Sequence, residues 1–438
     1  MKLFLATVLI VTVSSLASGA IELADVANIC ENETLILNLS NSAEFDRNSI
    51  VSSTLRCIVI RSKYVNIKES SFENVPNLKY LDLRRNVISN RNLFSFGNIS
   101  HLKILNLGYQ DDSENNYNSE EITISSKYPE LEYLDLAHNS ISDIRVYWGS
   151  ENPFPNLTHL DLSGNKIYSP LSLTLPPTLT HFDLSNNRIS KFSFGELNNL
   201  LSLKLDYNNI NALDHRYIDF KPLKNLENLS VTNNEIKYMR NSIENLVNLR
   251  YLNLSFNFLS DFDFKMIEDL HLLEEVALDS NSIDDVSISV PLNITTLSLN
   301  CNRIINITAN SFYNLKNLRR LFLSGNMIQN IHENSFQNQK LLEELYLDNN
   351  DLNYLPPYWC QFTKKLRYLN LSGNRFTSLE SVLYDSNLPV TQLYFERNPV
   401  TYINGSVISP EMTIFLNGDI TSYMRSCIKK VPLGLMYG

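Results

Sequence analysis

The chain of 438 residues carries 37 Lys and Arg against 47 Asp and Glu, a formal net charge of −10. That balance argues against nucleic acid and anionic lipid surfaces as partners, since both select for basic patches. With 19% charged and 43% hydrophobic residues, the composition is that of a folded chain.

Residues 1–20 read as a secretory leader. Lys2 gives the positive start, residues 3–13 the apolar run, and Ser18-Gly19-Ala20 the small residues for cleavage. The run is shorter than the roughly 20 apolar residues that span a bilayer. Residues 21–54 should form an N-terminal cap, because the first coil of a stacked array exposes the edge of its core. Leu35, Leu37 and Leu39 alternate as in a strand, and so do Ile58 and Ile60. Cys30 and Cys57 flank this stretch, and in an oxidising compartment they are expected to pair.

From residue 55 to 398 one spacing recurs, Leu-x-x-Leu-x-Leu-x-x-Asn. It is plain in Leu342-Glu343-Glu344-Leu345-Tyr346-Leu347-Asp348-Asn349-Asn350 and again from Leu366 to Asn374. The closing Asn stands at 86, 139, 165, 187, 208, 234, 257, 281, 302, 326, 350, 374 and 398, the last four intervals being 24 residues each. Gln110 and Lys63 fill two more slots, giving about 15 units. The Leu-x-Leu step puts two apolar side chains on one face of a short strand. One unit cannot bury that face alone, but stacked neighbours bury it in a continuous parallel sheet. The Asn amide offers donors and an acceptor to buried turn backbone. Each group left orphaned would cost about 1–3 kcal/mol. Looser coils are expected where Lys63 and Gln110 interrupt that column.

The spacing resembles the leucine-rich repeat family over roughly residues 55–398. The resemblance implies an α/β solenoid: a horseshoe with a parallel β-sheet on its concave face and irregular or short helical turns on its convex face. Phe72, Phe312 and Phe336, each after Ser, recur at one place and are read as core filler under the outer turns.

Two units are lengthened. The acidic run Asp111-Asp112-Ser113-Glu114-Asn115-Asn116 lies in the 29-residue interval between Gln110 and Asn139 and reads as a solvated loop. Trp148 and Pro153-Phe154-Pro155 suggest an irregular outer turn. Residues 399–438 should cap the other end. Cys427 lies there, and a bond to Cys360 is expected. That leaves Cys301 as the odd cysteine, a free thiol or a link to a second chain. The tail shows no apolar run long enough to span a membrane and no sustained heptads.

The open face of such a sheet can be read off directly. Between the paired leucines stand Asp82, Asn106, Asp135, Asp161, Asp183, Lys204, Ser230, Asn253, Ala277, Ser298, Phe322, Tyr346, Asn370 and Tyr394. Adjacent strands lie about 4.8 Å apart, so these become neighbours. Asp135, Asp161 and Asp183, with His159, His181 and His138, form one patch. Its residue types could hold a divalent metal. Asp is ordinary in this slot for the family, and no metal or cofactor is assigned. Phe322, Tyr346, Tyr368 and Tyr394, with Arg320 and Arg367, form the other. Aromatic and Arg side chains anchor protein interfaces, so this patch is the expected partner-binding site. Asn-x-Ser/Thr acceptors begin at Asn32, Asn38, Asn98, Asn156, Asn228, Asn293, Asn306 and Asn404. Two more, Asn253 and Asn370, point into the hollow, and a glycan on Asn370 would obstruct the aromatic patch.

Nothing in the sequence resembles a nucleophile–base–acid set, a phosphate loop or a His-Glu-x-x-His site, so the expected role is binding without turnover. The leader, the short Asn-rich array and the cap strand Ser53-Thr54-Leu55-Arg56-Cys57-Ile58-Val59-Ile60 resemble the secreted leucine-rich immune proteins of mosquitoes. That resemblance implies an innate-immune recognition or scaffold factor whose partner is a complement-like thioester protein or a pathogen surface. Long members add adjacent cysteines and a coiled coil after the repeats. This chain has neither and resembles a coil-less member. The alternative is an extracellular adhesion or receptor-type repeat protein.

Overall fold

The computed structural model describes residues 28–416 apart from 32, 40–42, 63, 111–119, 147–151, 241, 384–387, 402 and 404–410. The leader, Asn32, Lys63, the acidic run from Asp111, Trp148, Asn404 and Cys427 lie outside the described residues. The chain forms two compact units, one ending at Asn234 and the other beginning at Glu235. Both are parallel β-sheet solenoids with very little helix, and about 15 turns are formed in all.

In the first unit the strands run in chain order from Thr34–Leu39 through Cys57–Ser62, Tyr80–Asp82, Ile104–Asn106, Tyr133–Asp135, His159–Asp161, His181–Asp183 and Ser202–Lys204 to Asn228–Ser230. Each pairs in parallel with the next. The register aligns Ile58, Leu81, Leu105, Leu134, Leu160, Phe182, Leu203 and Leu229 in one buried row. In the second unit the row is Leu252, Val276, Leu297, Leu321, Leu345, Leu369, Leu393 and Ile414. Its last strand, Thr413–Phe415, lies beyond Asn398, where the spacing alone ended the array.

The Asn column works as its chemistry requires. Asn326 Nδ2 donates to the carbonyls of Leu299 and Leu323, and its Oδ1 accepts from Ile304 N–H. Asn350 repeats this with Leu323, Leu347 and Ile328. Gln110 corrects the expectation of a looser coil. Its longer arm is buried, Oε1 accepts from the N–H groups of Asn86 and Ile88, and Nε2 donates to Leu83 O at 2.6 Å. A second column goes with the first. The residue before the repeat Asn holds a left-handed backbone from Arg85 (φ 61°) to Arg397 (φ 56°). The Asn bonds offset what that conformation costs a residue with a Cβ.

Phe72, Phe312 and Phe336 are buried under the outer turns, Phe312 and Phe336 stacked 5.9 Å apart. Cys30 and Cys57 form a disulfide with Cα atoms 5.5 Å apart, packed with Tyr80 and Ile104. The other cysteine assignments need correcting. Cys360 is a buried thiol, so it does not bond Cys427. It sits inside its outer turn, where its carbonyl accepts from the N–H and the hydroxyl of Thr363. Cys301 is disulfide-bonded, so it is neither a spare thiol nor a link to a second chain. It occupies the left-handed position before Asn302, which turns a side chain away from the core.

Candidate partner-binding site

The second unit carries the aromatic patch. Phe322 stacks on Tyr346 with centroids 4.6 Å apart, Tyr346 meets Tyr368 at 4.7 Å, and Tyr368 meets Tyr394 at 4.9 Å. A fifth ring, Phe415, stacks on Tyr394 at 4.3 Å. The spacing follows the strand spacing, so the rings stand side by side and mostly cover one another. Phe322 is only 3% exposed, and the three tyrosines are half-buried. Burial, then the carboxylate of Glu396, pushes the Tyr394 phenol above its ordinary value. Arg320 is fixed by Glu275 (2.9 Å) and Thr296 (3.1 Å), while Arg367 is exposed just before its strand.

Tyr368 explains the continuity of the ladder. Its backbone aligns with Glu344 and Gln392, whereas Tyr346 and Tyr394 both align with Asn370. The Tyr368 ring therefore bridges over Asn370. That asparagine is 6% exposed and its Oδ1 accepts from Ser372 N–H. Asn370 is thus covered by the rings that a glycan there would displace. Asn253 is half-buried and accepts from Ser255 N–H. Asn38, Asn98, Asn156, Asn293 and Asn306 are exposed, and Asn228 is half-buried in its strand.

Sequence reasoning missed Phe415, because no Asn follows it. The signal was the step Thr413-Ile414-Phe415-Leu416, which places an aromatic in the slot of Tyr394.

The first unit carries the polar patch. Asp135, Asp161 and Asp183 align on neighbouring strands, and so do Tyr133, His159 and His181. Burial and the nearby Asp161 push the Asp135 carboxyl up to about 6, against the N–H it accepts from Ala137. Burial pushes His159 down to about 4, and His181 down too. His138 stands apart from this group. It stacks on Tyr109 at 4.4 Å, and the Arg85 guanidinium lies 5.4 Å from the other ring's centre. Among the described residues no group of three or more His, Cys, Asp or Glu is placed to hold a metal ion. Nor is any described helix long and apolar enough to cross a membrane.

Profiles described as Leucine rich repeat match residues 293–352 and 326–376, with two-copy Leucine Rich repeats at 129–174. The BspA type Leucine rich repeat region matches 30–123, and single repeats match 178–200 and 248–270. The chain is a leucine-rich repeat protein. It is 30% identical to rat (Rattus norvegicus) osteomodulin over 197 residues, 44% of this chain and 40% of osteomodulin. It is 29% identical to Mus musculus keratocan over 247 residues, 51% of this chain and 62% of keratocan. The match thus spans less than two thirds of either relative. Among solved structures, a leucine-rich repeat protein of Leptospira interrogans matches with a TM-score of 0.63 at 23% identity, covering 89% of this chain and 98% of that one. The Drosophila Toll–Spatzle complex matches with a TM-score of 0.56 at 17% identity, covering 85% of this chain and 54% of the other. These likenesses speak to fold.

Proposed function

We propose that this leucine-rich repeat protein is an extracellular, non-enzymatic scaffold that docks a protein partner on the aromatic ladder of its second unit. The five-ring stack from Phe322 to Phe415 is the observation that carries the reading. Rings stacked on each other offer edges and hydroxyls, not faces. A sugar needs an open ring face to lie against, whereas a protein surface can use Tyr edges and hydroxyls together. Arg320 and Arg367 flank the row with guanidinium donors. The Cys30–Cys57 disulfide fits an oxidising compartment, and the leader reading fits export. Toll, which shares the fold, is in a complex with Spatzle in the structure that matched.

Within that role we favour innate-immune recognition, with a complement-like thioester protein or a pathogen surface as partner. The support is the resemblance of the cap and array to the coil-less mosquito immune proteins. Adhesion or receptor-type binding is the second reading. The Asn370 arrangement supports a ladder free of sugar, with glycans on the exposed acceptors Asn38, Asn98, Asn156, Asn293 and Asn306 and on the half-buried Asn228.

The test is capture of partners from the organism's own extracellular fluid by wild-type protein and by the double variant Tyr346→Ala/Tyr394→Ala. Loss of the captured band with unchanged secretion is expected. Equal capture by both would remove the ladder from the binding surface.

A further inference from the structure

The first unit holds a second surface that the proposed docking site does not use. Six residues occur twice, one coil apart: Thr158-His159-Leu160-Asp161-Leu162-Ser163 and Thr180-His181-Phe182-Asp183-Leu184-Ser185. Phe182 replaces Leu160 in the buried row, and every other position is identical.

The duplicated threonines set the imidazoles. Thr158 Oγ1 donates its only proton to Glu132 O (2.9 Å), so it must accept from His159 Nδ1, also at 2.9 Å. Thr180 Oγ1 donates to Thr158 O (3.0 Å) and accepts from His181 Nδ1 (2.9 Å). Each Nδ1 therefore carries the ring proton, and each Nε2 keeps its lone pair. The rings are stacked with centroids 4.2 Å apart and planes 6° apart, so the two lone pairs point the same way. On the same face, two residues along each strand, stand Asp161 and Asp183. Their Oδ1 atoms take the N–H groups of Ser163 and Ser185, which fixes both carboxylates. The result is a fixed group built of acceptors, half-buried and negative. Lys204 closes one end, 3.3 Å from Asp183 Oδ2.

An acceptor array of this kind calls for a planar donor with positive charge. We propose that the His159/Asp161/His181/Asp183 face receives an arginine side chain of a partner protein. A guanidinium offers five N–H donors in one plane, enough to reach a carboxylate and a row of imidazole nitrogens together. A metal ion fits less well, because parallel stacked imidazoles send their lone pairs side by side rather than to one centre.

The experiment uses the full chain and two labelled probes, a hexa-arginine peptide and its hexa-citrulline counterpart, which keeps the shape and loses the charge. Fluorescence anisotropy should show the arginine peptide bound at least about tenfold more tightly than the citrulline one. Asp161→Asn and, separately, His159→Phe/His181→Phe should each weaken it about tenfold. Asp284→Asn/Asp285→Asn, which neutralises two exposed carboxylates elsewhere, should change it less than about twofold. Three results would overturn the proposal. One is an equal loss in Asp161→Asn and the control, which would mean general charge attraction. Another is full binding by the His pair variant. The third is binding that needs added Zn2+ and disappears with chelator, which would make the face a metal site.

Discussion

The two units lay down one backbone and put opposite chemistry on it. Between the paired leucines the first unit shows Asp135, Asp161, Asp183 and Lys204, while the second shows Phe322, Tyr346, Asn370, Tyr394 and Phe415. From Tyr80 onward the strands of the main sheet are three residues long in both, the central side chain is buried in both, and the Asn bonds agree to within a few tenths of an ångström. The framework therefore does not decide what the open face carries. In the second unit the slot residues stabilise one another by contact, each ring pair contributing about 0.5–1.5 kcal/mol beyond burial. In the first, Asp135, Asp161 and Asp183 oppose one another, carboxylate beside carboxylate, and Lys204 offsets this at one end.

The comparison breaks most sharply at the shared framework. Asn350→Ala and Asn187→Ala should each destabilise their own unit by about 2–6 kcal/mol, because each orphans one buried N–H, of Ile328 or Ile167, and takes one hydrogen bond from two buried carbonyls that keep another from the neighbouring repeat Asn. Hydrogen exchange read separately over the two units is the measurement, since long repeat arrays need not unfold as one. Similar losses on both sides are expected. A loss confined to one unit would mean that the columns differ in kind.

The slot residues should then separate the units. Phe322→Ala removes a buried ring stacked on Tyr346 and should cost about 3–5 kcal/mol. Asp183→Ala, in the equivalent slot of the first unit, removes a partly exposed ion pair with Lys204 and the acceptor of Ser185 N–H, and should cost about 1–2 kcal/mol. Equal costs would erase the distinction between a self-stabilising face and one held only by its backbone.

The pH dependence sharpens the same contrast. Asp135 is pushed up to about 6 in the folded chain, chiefly by burial, from an ordinary value of 3.8. The folded state therefore binds its proton more tightly than the unfolded state does. Its contribution is fully present below about 3.8 and is lost as pH rises through about 6. Lowering pH from 7 to 5 should slow exchange in the coils around Asp135 by an amount equivalent to about 1–2 kcal/mol. Asp135→Asn, which still offers Oδ1 to Ala137 N–H, should flatten that response. A pH response unchanged in the variant would assign it to another group.

The fold was legible because it rests on period and on Asn chemistry, which act locally. Leu345 and Leu369, 24 residues apart, find each other by counting. The Phe at 312 and 336 was readable for the same reason. The ladder was half legible. Phe322, Tyr346 and Tyr394 share a slot by count, but the depth of their burial depends on Tyr368 leaning over Asn370, a rotamer choice that no spacing encodes. The cysteines failed for a related reason. Cys360 and Cys301 each lie in a recurring position, but whether a thiol points into the turn or away from it follows from backbone angles, and Cys301 sits at φ 55°. Gln110 misled because its residue type was weighed without its reach. One extra methylene still lets its amide reach Leu83 O and the N–H groups of Asn86 and Ile88 in the preceding coil. The imidazole tautomers depend on the hydrogen bonds that His159 and His181 donate to Thr158 and Thr180, and these follow from where each hydroxyl sends its own proton, which no spacing encodes.

The last expected effect lies in the column of left-handed residues, and it tests whether the rim of the first unit is held from below. Gly164 has φ +68°, and a Cβ there would stand 2.4 Å from His138 Nδ1. His138 in turn supports Tyr109, over which Arg85 lies. Gly164→Ala should cost only about 1–2 kcal/mol, since Ser280, Cys301 and other residues with a Cβ hold the same conformation in this protein. Its larger consequence is geometric. The exposed His138 ring must swing aside, and the Arg85–Tyr109–His138 stack should come apart without a change in the sheet. Ring-current shifts of the His138 and Tyr109 protons, compared with those of the His159–His181 pair as an internal control, would read this directly. The His159–His181 shifts should stay fixed while the His138 shifts collapse. A collapse of both sets would show that the rim and the acceptor face form one packed unit, and the open face of the first unit would then owe its order to side chains after all, as the second unit's does.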